Sequence, residues 1–592
     1  MPMGQHARAR RIEKSPGKDV MSAGLNEKDY LATLHRLWEK AWPEGMPRSP
    51  NYLHGEVPLT EYLRAWAKQS PARPAVIFYG HVTTYAELDQ QSDRFAALLQ
   101  AKGVSKGDRV AVFLPNCPQF HIVFFGILKL GAVHVPVSPL SRAFELSYEL
   151  NDTRAEVIVA LDQLIPVVEQ VRGDVSLREI IVTSFADVVP QTPAFPAPDS
   201  IRTPRIAISG ATDLLPALAA QPAPTPLPAP GLDEVAALNY TGGTTGMPKG
   251  CVHTHRDMVY TAAANYGISV LSDESSVFLS FFPEFWIAGE NFGLIFPLFS
   301  GGTLILLARW DAVGAMAAID KYKVTITAMP VDGAVELMDH PRWSEFDLSS
   351  LKQVRVVSFV KKLNADYRKR WKDLTGTILM EAAWGMTETH TSNTFTAGFQ
   401  DDDFDLNNQP IFVGLPVPGA EFKITDFETG ALLPLGAEGE IRVRTPSLLK
   451  SYWNKPEATA ESLIDGWLRT GDIGAIDKDG FLHFLGRRKE MLKVKGMSVF
   501  PPEIEALLGQ HPKVLGSGVV GRDDPDKGQV PVAYIQLKPE AVGTISAEDI
   551  RAWCAERMAV YKIPEVRIID ALPLTATGKV KKQDLNPNQP AA

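Results

Sequence analysis

Between residues 84 and 137 the chain alternates between two hydrophobic periods. Thr84-x-x-Glu87 has the pattern of a capping box, and Leu88, Phe95, Leu98 and Leu99 follow at helical spacing. Residues 109–114 read as a short apolar strand. Pro118 opens the next helix, and residues 132–137 form the next strand. Strand-helix-strand alternation implies parallel sheet with helices on both faces. The alternation resumes further on, with 324–329 and 353–357 as buried strands. Residues 192–230 are rich in Pro and Ala and close on Pro222, Pro224, Pro226, Pro228 and Pro230. This predicts a surface connection and no helix. From 422 to 484 the pattern shifts to short strands and turns. Asp477-Lys478-Asp479-Gly480 is a hairpin turn flanked by apolar runs at 473–476 and 481–485. A small β-rich subdomain closing the large one is expected there. Beyond Gly486 a compact α+β unit remains, about 100 residues long, the size of a small independent domain.

Composition narrows the class. The chain has 592 residues, 45% hydrophobic and 22% charged, the proportions of an ordinary globular protein. Its net charge of −9 argues against a nucleic-acid surface. Cys117, Cys251 and Cys554 fit no zinc spacing and read as reduced packing thiols of a cytoplasmic protein. No apolar run reaches membrane-span length; 292–307 is cut by Pro297 and by Gly301-Gly302. Arg8, Arg10, Arg11, Lys14 and Lys18 have no apolar stretch after them, so the N-terminus is not a secretory signal. A disordered tail over 1–28 is expected, with Met21 as an alternative start and an organelle transit peptide left open.

The chemistry is concentrated in Tyr240-Thr241-Gly242-Gly243-Thr244-Thr245-Gly246-Met247-Pro248-Lys249-Gly250. Glycines let the backbone approach a ligand and turn N–H groups toward an anion. Thr241, Thr244 and Thr245 add hydroxyls, and Lys249 adds a point charge. The pattern is a phosphate cradle. It is not the P-loop, because Pro248 precedes the lysine and Gly250 follows it, leaving no adjacent hydroxyl for magnesium. Alone, such a run also reads as a plain flexible loop.

Four further motifs follow in order: Trp384-Gly385-Met386-Thr387-Glu388-Thr389, Thr470-Gly471-Asp472, Gly486-Arg487-Arg488-Lys489-Glu490-Met491-Leu492-Lys493 and Pro573-Leu574-Thr575-Ala576-Thr577-Gly578-Lys579. With the cradle they resemble the signatures of the adenylate-forming (AMP-binding) superfamily, in its acyl-CoA synthetase and fatty-acid–CoA ligase branch. The resemblance implies an α/β fold with a large N-terminal domain over 29–488. That domain holds two α/β/α parallel-sheet subdomains and a small β-barrel. A small mobile α+β lid domain is implied over 489–592.

The resemblance also implies roles. The cradle, Thr241 to Lys249, holds the β- and γ-phosphates of ATP. Glu388 binds Mg²⁺, Thr387 the α-phosphate, and Trp384 stacks on adenine beside Gly385 and Met386. Asp472 and Arg487 reach the ribose. Lys579 serves the first half-reaction. Lys489 is the hinge; Lys493 and Gly496 face the site in the second conformation, with Gly496 on the coenzyme A tunnel. Each also has an ordinary reading: core packing for Trp384, a surface ion pair for Asp472 and Arg487, and a solvated tail lysine for Lys579 beside Lys581 and Lys582.

Three stretches depart from the family pattern. A Ser-Gly-Gly-Ala-Pro-like turn against adenine is replaced by Val357-Ser358-Phe359-Val360-Lys361-Lys362-Leu363. Two glycines are lost and two cations gained. Lys361 and Lys362 are expected to begin the solvated face of a helix through Tyr367 and Trp371; the alternative sends one ammonium into the nucleotide or coenzyme A site. Trp286 stands where many relatives carry histidine, and is either an acyl-site gate or core. Trp384 replaces the commoner tyrosine.

No carrier-protein motif follows Lys579, so coenzyme A is the expected acceptor. The acyl pocket is expected between 281–292, 356–360 and 380–383, mostly apolar, with Trp286 at its mouth and Ala382 and Ala383 leaving room. A medium- or long-chain fatty acid fits; an aryl or phenylpropanoid acid is the alternative, and a non-turnover acyl-AMP or coenzyme A sensor a third. The partners expected are the acid, ATP and coenzyme A, with a homodimer compatible.

Overall fold

The computed structural model describes residues 26–222, 226–241, 247–408, 411–495, 497–575 and 578–588. Two seven-stranded sheets form its body. The first runs Thr212–Asp213, Glu179–Thr183, Val157–Leu161, Arg109–Phe113, Val133–Pro136, Val235–Tyr240 and Gly250–Thr254. It is parallel except for the last pair, an antiparallel hairpin with Tyr240 opposite Gly250. The second runs Leu379–Glu381, Gln353–Val357, Ile326–Pro330, Val277–Ser280, Thr303–Leu306, Pro74–Phe78 and His81–Thr84. It too is parallel apart from its final pair.

The helix Pro118–Leu130 joins the sheets. Every one of its residues is buried, and it touches strands of both. A helix apolar on all sides has no solvent face to keep polar. The helix Tyr85–Ala101 begins on the expected box. The Glu87 N–H donates to the Thr84 hydroxyl at 3.2 Å, and the Thr84 N–H donates to the Glu87 carboxylate at 2.8 Å.

Two expectations about the chain are corrected. The stretch 192–230 does contain a helix, Leu214–Ala220, with Leu214 and Leu218 buried. Its Pro216 sits in the first turn, where the missing N–H has no intrahelical partner to lose. The expected tail over 1–28 ends early. Residues 1–25 lie outside the described ones, but Asn26 caps the helix Glu27–Ala41. Glu27 pairs with Lys423 at 2.5 Å and accepts from Trp467 Nε1 at 3.1 Å, so this helix is tied to the third sheet.

That third sheet is antiparallel, in the order Thr394–Phe395, Phe412–Pro416, Leu482–Arg487, Trp467–Ile476, Gly439–Arg444 and Glu421–Thr425. The strands expected to make a small barrel form this sheet, whose two end strands are not paired to each other among the described residues. The Asp477–Gly480 turn joins its two central strands, as expected.

The last unit begins at Leu492. Its sheet runs Met497–Val499, Leu492–Val494, Gly528–Leu537 and Val514–Asp524, with Glu565–Ile569 parallel to Gly528–Leu537. It has its own core, including Ile504, Leu508, Val519, Ile535 and Ile550. Cys117, Cys251 and Cys554 are all buried and unlinked. Among the described residues no helix is long and apolar enough to cross a membrane.

Candidate active site

The hairpin Val235–Tyr240/Gly250–Thr254 presents the cradle at its tip. Its two ends are laced together. The Thr241 N–H donates to the Lys249 carbonyl at 3.0 Å, and the Lys249 N–H donates to the Thr241 hydroxyl at 3.2 Å. Gly242, Gly243, Thr244, Thr245 and Gly246 lie outside the described residues, as do Gly496, Ala576 and Thr577. Lys249 extends its ammonium over the Tyr452 ring, 4.2 Å from the centroid. The Tyr452 hydroxyl donates to Glu388 Oε1 at 3.0 Å. The cradle cation, an aromatic ring and the proposed metal carboxylate therefore stand in one line.

The Trp384–Thr389 motif is a tight hairpin, Gly385–Met386 against Thr391–Ser392. A Cβ on Gly385 would lie 1.8 Å from the Thr391 carbonyl oxygen, so no side chain fits there. Thr391 and His390 both have positive φ, 93° and 55°, which marks a strained turn at a functional position. The Nε2 of His253 stands 2.8 Å from the Thr387 carbonyl, and its Nδ1 faces Asp257 Oδ2 at 3.5 Å. Thr387 and Glu388 themselves stay partly open to solvent.

Trp384 is buried, at 8% exposure, and packs edge-on against Phe422. Its Nε1 donates to Asp472 Oδ2 at 3.0 Å. Here the indole orients the carboxylate assigned to ribose, a contact that tyrosine at this position would make differently. Asp472 is 3% exposed. Burial pushes its pKa up to about 6, against the pull of Arg487 and the Trp384 hydrogen bond. Arg487, its register partner on the next strand, stands with Nε 3.2 Å from Oδ1. Asp472 Oδ1 is buried, and Arg487 is its ion-pair partner.

Lys579 enters this cleft from the last unit. Its ammonium lies 5.7 Å from the Trp286 ring centroid and 5.6 Å from that of Phe359. The loop that carries it is closed by Thr575 N–H to the Lys579 carbonyl at 2.7 Å, with Gly578 at φ 82°. The residue as a whole is exposed. Its ammonium is nonetheless crowded by both units, which lowers its pKa. Arg487 lowers it further, while Asp472 and Glu490 raise it.

Trp286 is half-buried and sits edge-on to Phe282. It precedes a helix whose middle, Asn291–Ile295, has π geometry, a bulge common at functional sites. Ala382 and Ala383 are partly open. Lys489 and Lys493 are exposed, and Lys493 Nζ donates to Ser498 at 2.9 Å.

The lysine pair is not where expected. The helix starts only at Ala365, capped by Asn364. Lys361 and Lys362 lie before it, half-buried. Lys362 Nζ donates to the carbonyls of Ser358 at 3.0 Å and Phe359 at 3.4 Å. Lys361 lies beside Asp332, and burial lowers its pKa. Val360, expected in the acyl wall, faces the last unit instead.

Sequence reasoning missed Tyr452 and His253, and had Phe359 and Glu381 only as members of the expected acyl-pocket stretches 356–360 and 380–383. Tyr452 and Glu381 belong to no motif, and His253 is only one residue in an alternating strand. Among the described residues no group of three or more His, Cys, Asp or Glu gathers to hold a metal ion. Glu388, partly open to solvent, is the carboxylate that would hold Mg²⁺ together with substrate phosphate oxygens.

Residues 63–453 match the family model of the AMP-binding enzymes, and residues 503–579 that of the AMP-binding enzyme C-terminal domain. A long-chain-fatty-acid–CoA ligase of Bacillus subtilis is 32% identical over 565 residues, covering 92% of this chain and 98% of the relative. 4-Coumarate–CoA ligase 3 of Oryza sativa is 31% identical over 534 residues, covering 89% and 91%. The crystal structure of the anthranilate CoA ligase AuaEII with anthranoyl-AMP superposes with a TM-score of 0.77 at 28% identity, covering 89% of this chain and 96% of that one.

Proposed function

Since the chain belongs to the AMP-binding enzyme family, we propose that it is an ATP-dependent acid–CoA ligase that works through an acyl-AMP. A carboxylate is a poor acyl donor because its leaving group would be oxide. In the first half-reaction a carboxylate oxygen bonds to the α-phosphorus of ATP. The bond from that phosphorus to the β-bridging oxygen breaks, and pyrophosphate leaves. In the second, the sulfur of coenzyme A bonds to the acyl carbon and AMP leaves with the electron pair.

The observation that carries this reading is the position of Lys579, whose ammonium stands 5.7 Å from the Trp286 ring and 5.6 Å from the Phe359 ring and feels the charges of Arg487, Asp472 and Glu490. Lys579 offsets charge on the transferring phosphoryl oxygens and the incoming carboxylate. Lys249 and the cradle hold the leaving pyrophosphate. Asp472, oriented by Trp384, accepts from the ribose hydroxyls, and Arg487 supports it. Thr387 donates to the α-phosphate. Mg²⁺, held by Glu388, neutralises phosphate charge when bound. Lys489 is the rotation point between a domain over 29–488 and a lid over 489–592. After rotation Lys493 and Gly496 line the coenzyme A path.

The acid we propose is a medium- or long-chain fatty acid, in keeping with the Bacillus relative. An aryl or phenylpropanoid acid is the alternative, supported by the packing of the Trp286, Phe282 and Phe292 rings. The enzyme is proposed to be cytoplasmic, with a homodimer compatible. A panel of carboxylic acids scored for coenzyme A-dependent AMP formation tests the reading. Failure of every acid to release pyrophosphate from ATP would favour the sensor instead.

A further inference from the structure

The turn 357–363, one of the stretches that depart from the family pattern, packs directly against the last unit. It is fixed on its own side from three directions. The Ser358 N–H donates to Glu381 Oε1 at 2.9 Å, and the Ser358 hydroxyl binds the other Glu381 oxygen. The Leu363 N–H donates to the Ser358 hydroxyl at 2.9 Å. Lys362 closes the turn on its own carbonyls, and the Lys361 N–H donates to Asp332 at 3.2 Å.

Its apolar side chains point the other way. Val360 is buried in a cluster with Val532, Tyr534, Leu572 and Leu585 of the last unit. Gly516 makes room for it: a Cβ there would lie 2.2 Å from Val360 Cγ1. A second glycine, Gly509, lies against Lys362, where a Cβ would come within 2.9 Å of the lysine Cβ. The turn has thus lost two glycines relative to the family pattern, and the surface pressed against it supplies two.

The socket is continuous with the loop that carries Lys579. Leu572 lies just before that loop and Val580 just after Lys579, and both belong to the Val360 cluster. Phe359, next to Val360, faces the Lys579 ammonium. From this geometry we infer that Val360 is a positioning residue for Lys579. Seating Val360 in the socket around Gly516 holds the last unit in its adenylating orientation. The socket must be vacated before coenzyme A can react. This inference rests on the proposed two-step reaction, and adds that the exchanged turn sets how long the first orientation persists.

The test uses the full chain with Val360→Asp and the conservative Val360→Ile. Pyrophosphate release from ATP and acid without coenzyme A reads the first half-reaction. Thioester formation from synthetic acyl-AMP and coenzyme A reads the second. Val360→Asp is expected to lower kcat of the first step about tenfold or more, with KM for ATP little changed. It leaves the second step unchanged or faster, and Val360→Ile restores the first. Equal loss in both steps, no loss in either, or a raised KM for ATP at constant kcat overturns the inference; the last would make the turn part of the adenine wall.

A physical readout covers the case in which no acid is turned over. Lys478→Cys and Glu548→Cys place labels on two exposed side chains, one on each unit. The native cysteines are buried. A label-to-label distance distribution that broadens in Val360→Asp and narrows again in Val360→Ile supports the seat even if the wild type forms no acyl-AMP, in which case the proposed reaction fails alone. An unchanged distribution rejects the seat.

Discussion

Asp472 has two demands on it that pull apart. It is nearly sealed, which favours the neutral acid, yet in the proposed nucleotide site it would offer an oxygen to ribose hydroxyls as an acceptor. With its pKa raised to about 6, the signs for binding and stability are opposite. Its contribution to folding is fully present below the unfolded value and is lost as pH rises through about 6. Ribose binding needs the carboxylate and is lost as pH falls through the same value. KM for ATP should therefore rise below about pH 6 in a pH series, and Asp472→Asn should raise KM while flattening that dependence. Lys579→Ala should lower acyl-AMP formation by about a hundredfold or more, on the order of 3 kcal/mol. Thioester formation from supplied acyl-AMP should stay largely intact. Equal loss in both half-reactions would reject the assignment. Trp286 is half-buried at the cleft, so Trp286→Ala should broaden or lengthen the range of accepted acids. A fall in Tm with an unchanged acid profile would make it a packing residue, at about 3–5 kcal/mol.

Among the elements, the strand Leu379–Glu381 does more than close the second sheet. Its last residue turns its carboxylate onto the Ser358 N–H and hydroxyl, and enclosure raises that carboxyl's pKa to about 7. The folded state then holds a proton that the unfolded chain releases above its ordinary value of 4.5. Stability from this group is present at low pH and is lost as pH rises toward about 7. Glu381→Gln should shrink the drop in Tm between about pH 5 and about pH 8, measured by calorimetry. Elements of this kind were legible in unequal degree. The capping box at Thr84 and the strand Gln353–Val357 stand where the pattern places them, because cap chemistry and a short, continuously buried run are local. The helix Leu214–Ala220 was hidden by its prolines. Lys361 and Lys362 read as a solvated helix start because an ammonium that caps carbonyls of its own turn leaves no signature in the sequence.

At the scale of the whole molecule the proposed cleft lies between units that are remote in sequence, and the segment 487–492 joins them. Lys489→Pro fixes φ and removes an N–H at the proposed hinge. It should leave pyrophosphate release nearly unchanged and slow thioester formation by about tenfold or more. A loss of adenylation instead would move the hinge elsewhere. Lys582 binds Glu490 at 2.8 Å and Glu505 at 3.0 Å, tying the proposed hinge segment to the helix Pro501–Leu508 of the last unit. By itself the sequence determined the alternating α/β body, the hairpin at 477–480, the separate last unit and the residue types of the nucleotide site. Each of these is written in local periodicity, turn chemistry or a contiguous motif. Only the tertiary structure decided that Trp384 holds Asp472, that Tyr452 links Lys249 to Glu388, and that Val360 leaves the acyl wall for a socket around Gly516. Those contacts join residues tens to hundreds of positions apart. Their energies come from burial and geometry across interfaces, which no local pattern of hydrophobic and polar residues encodes.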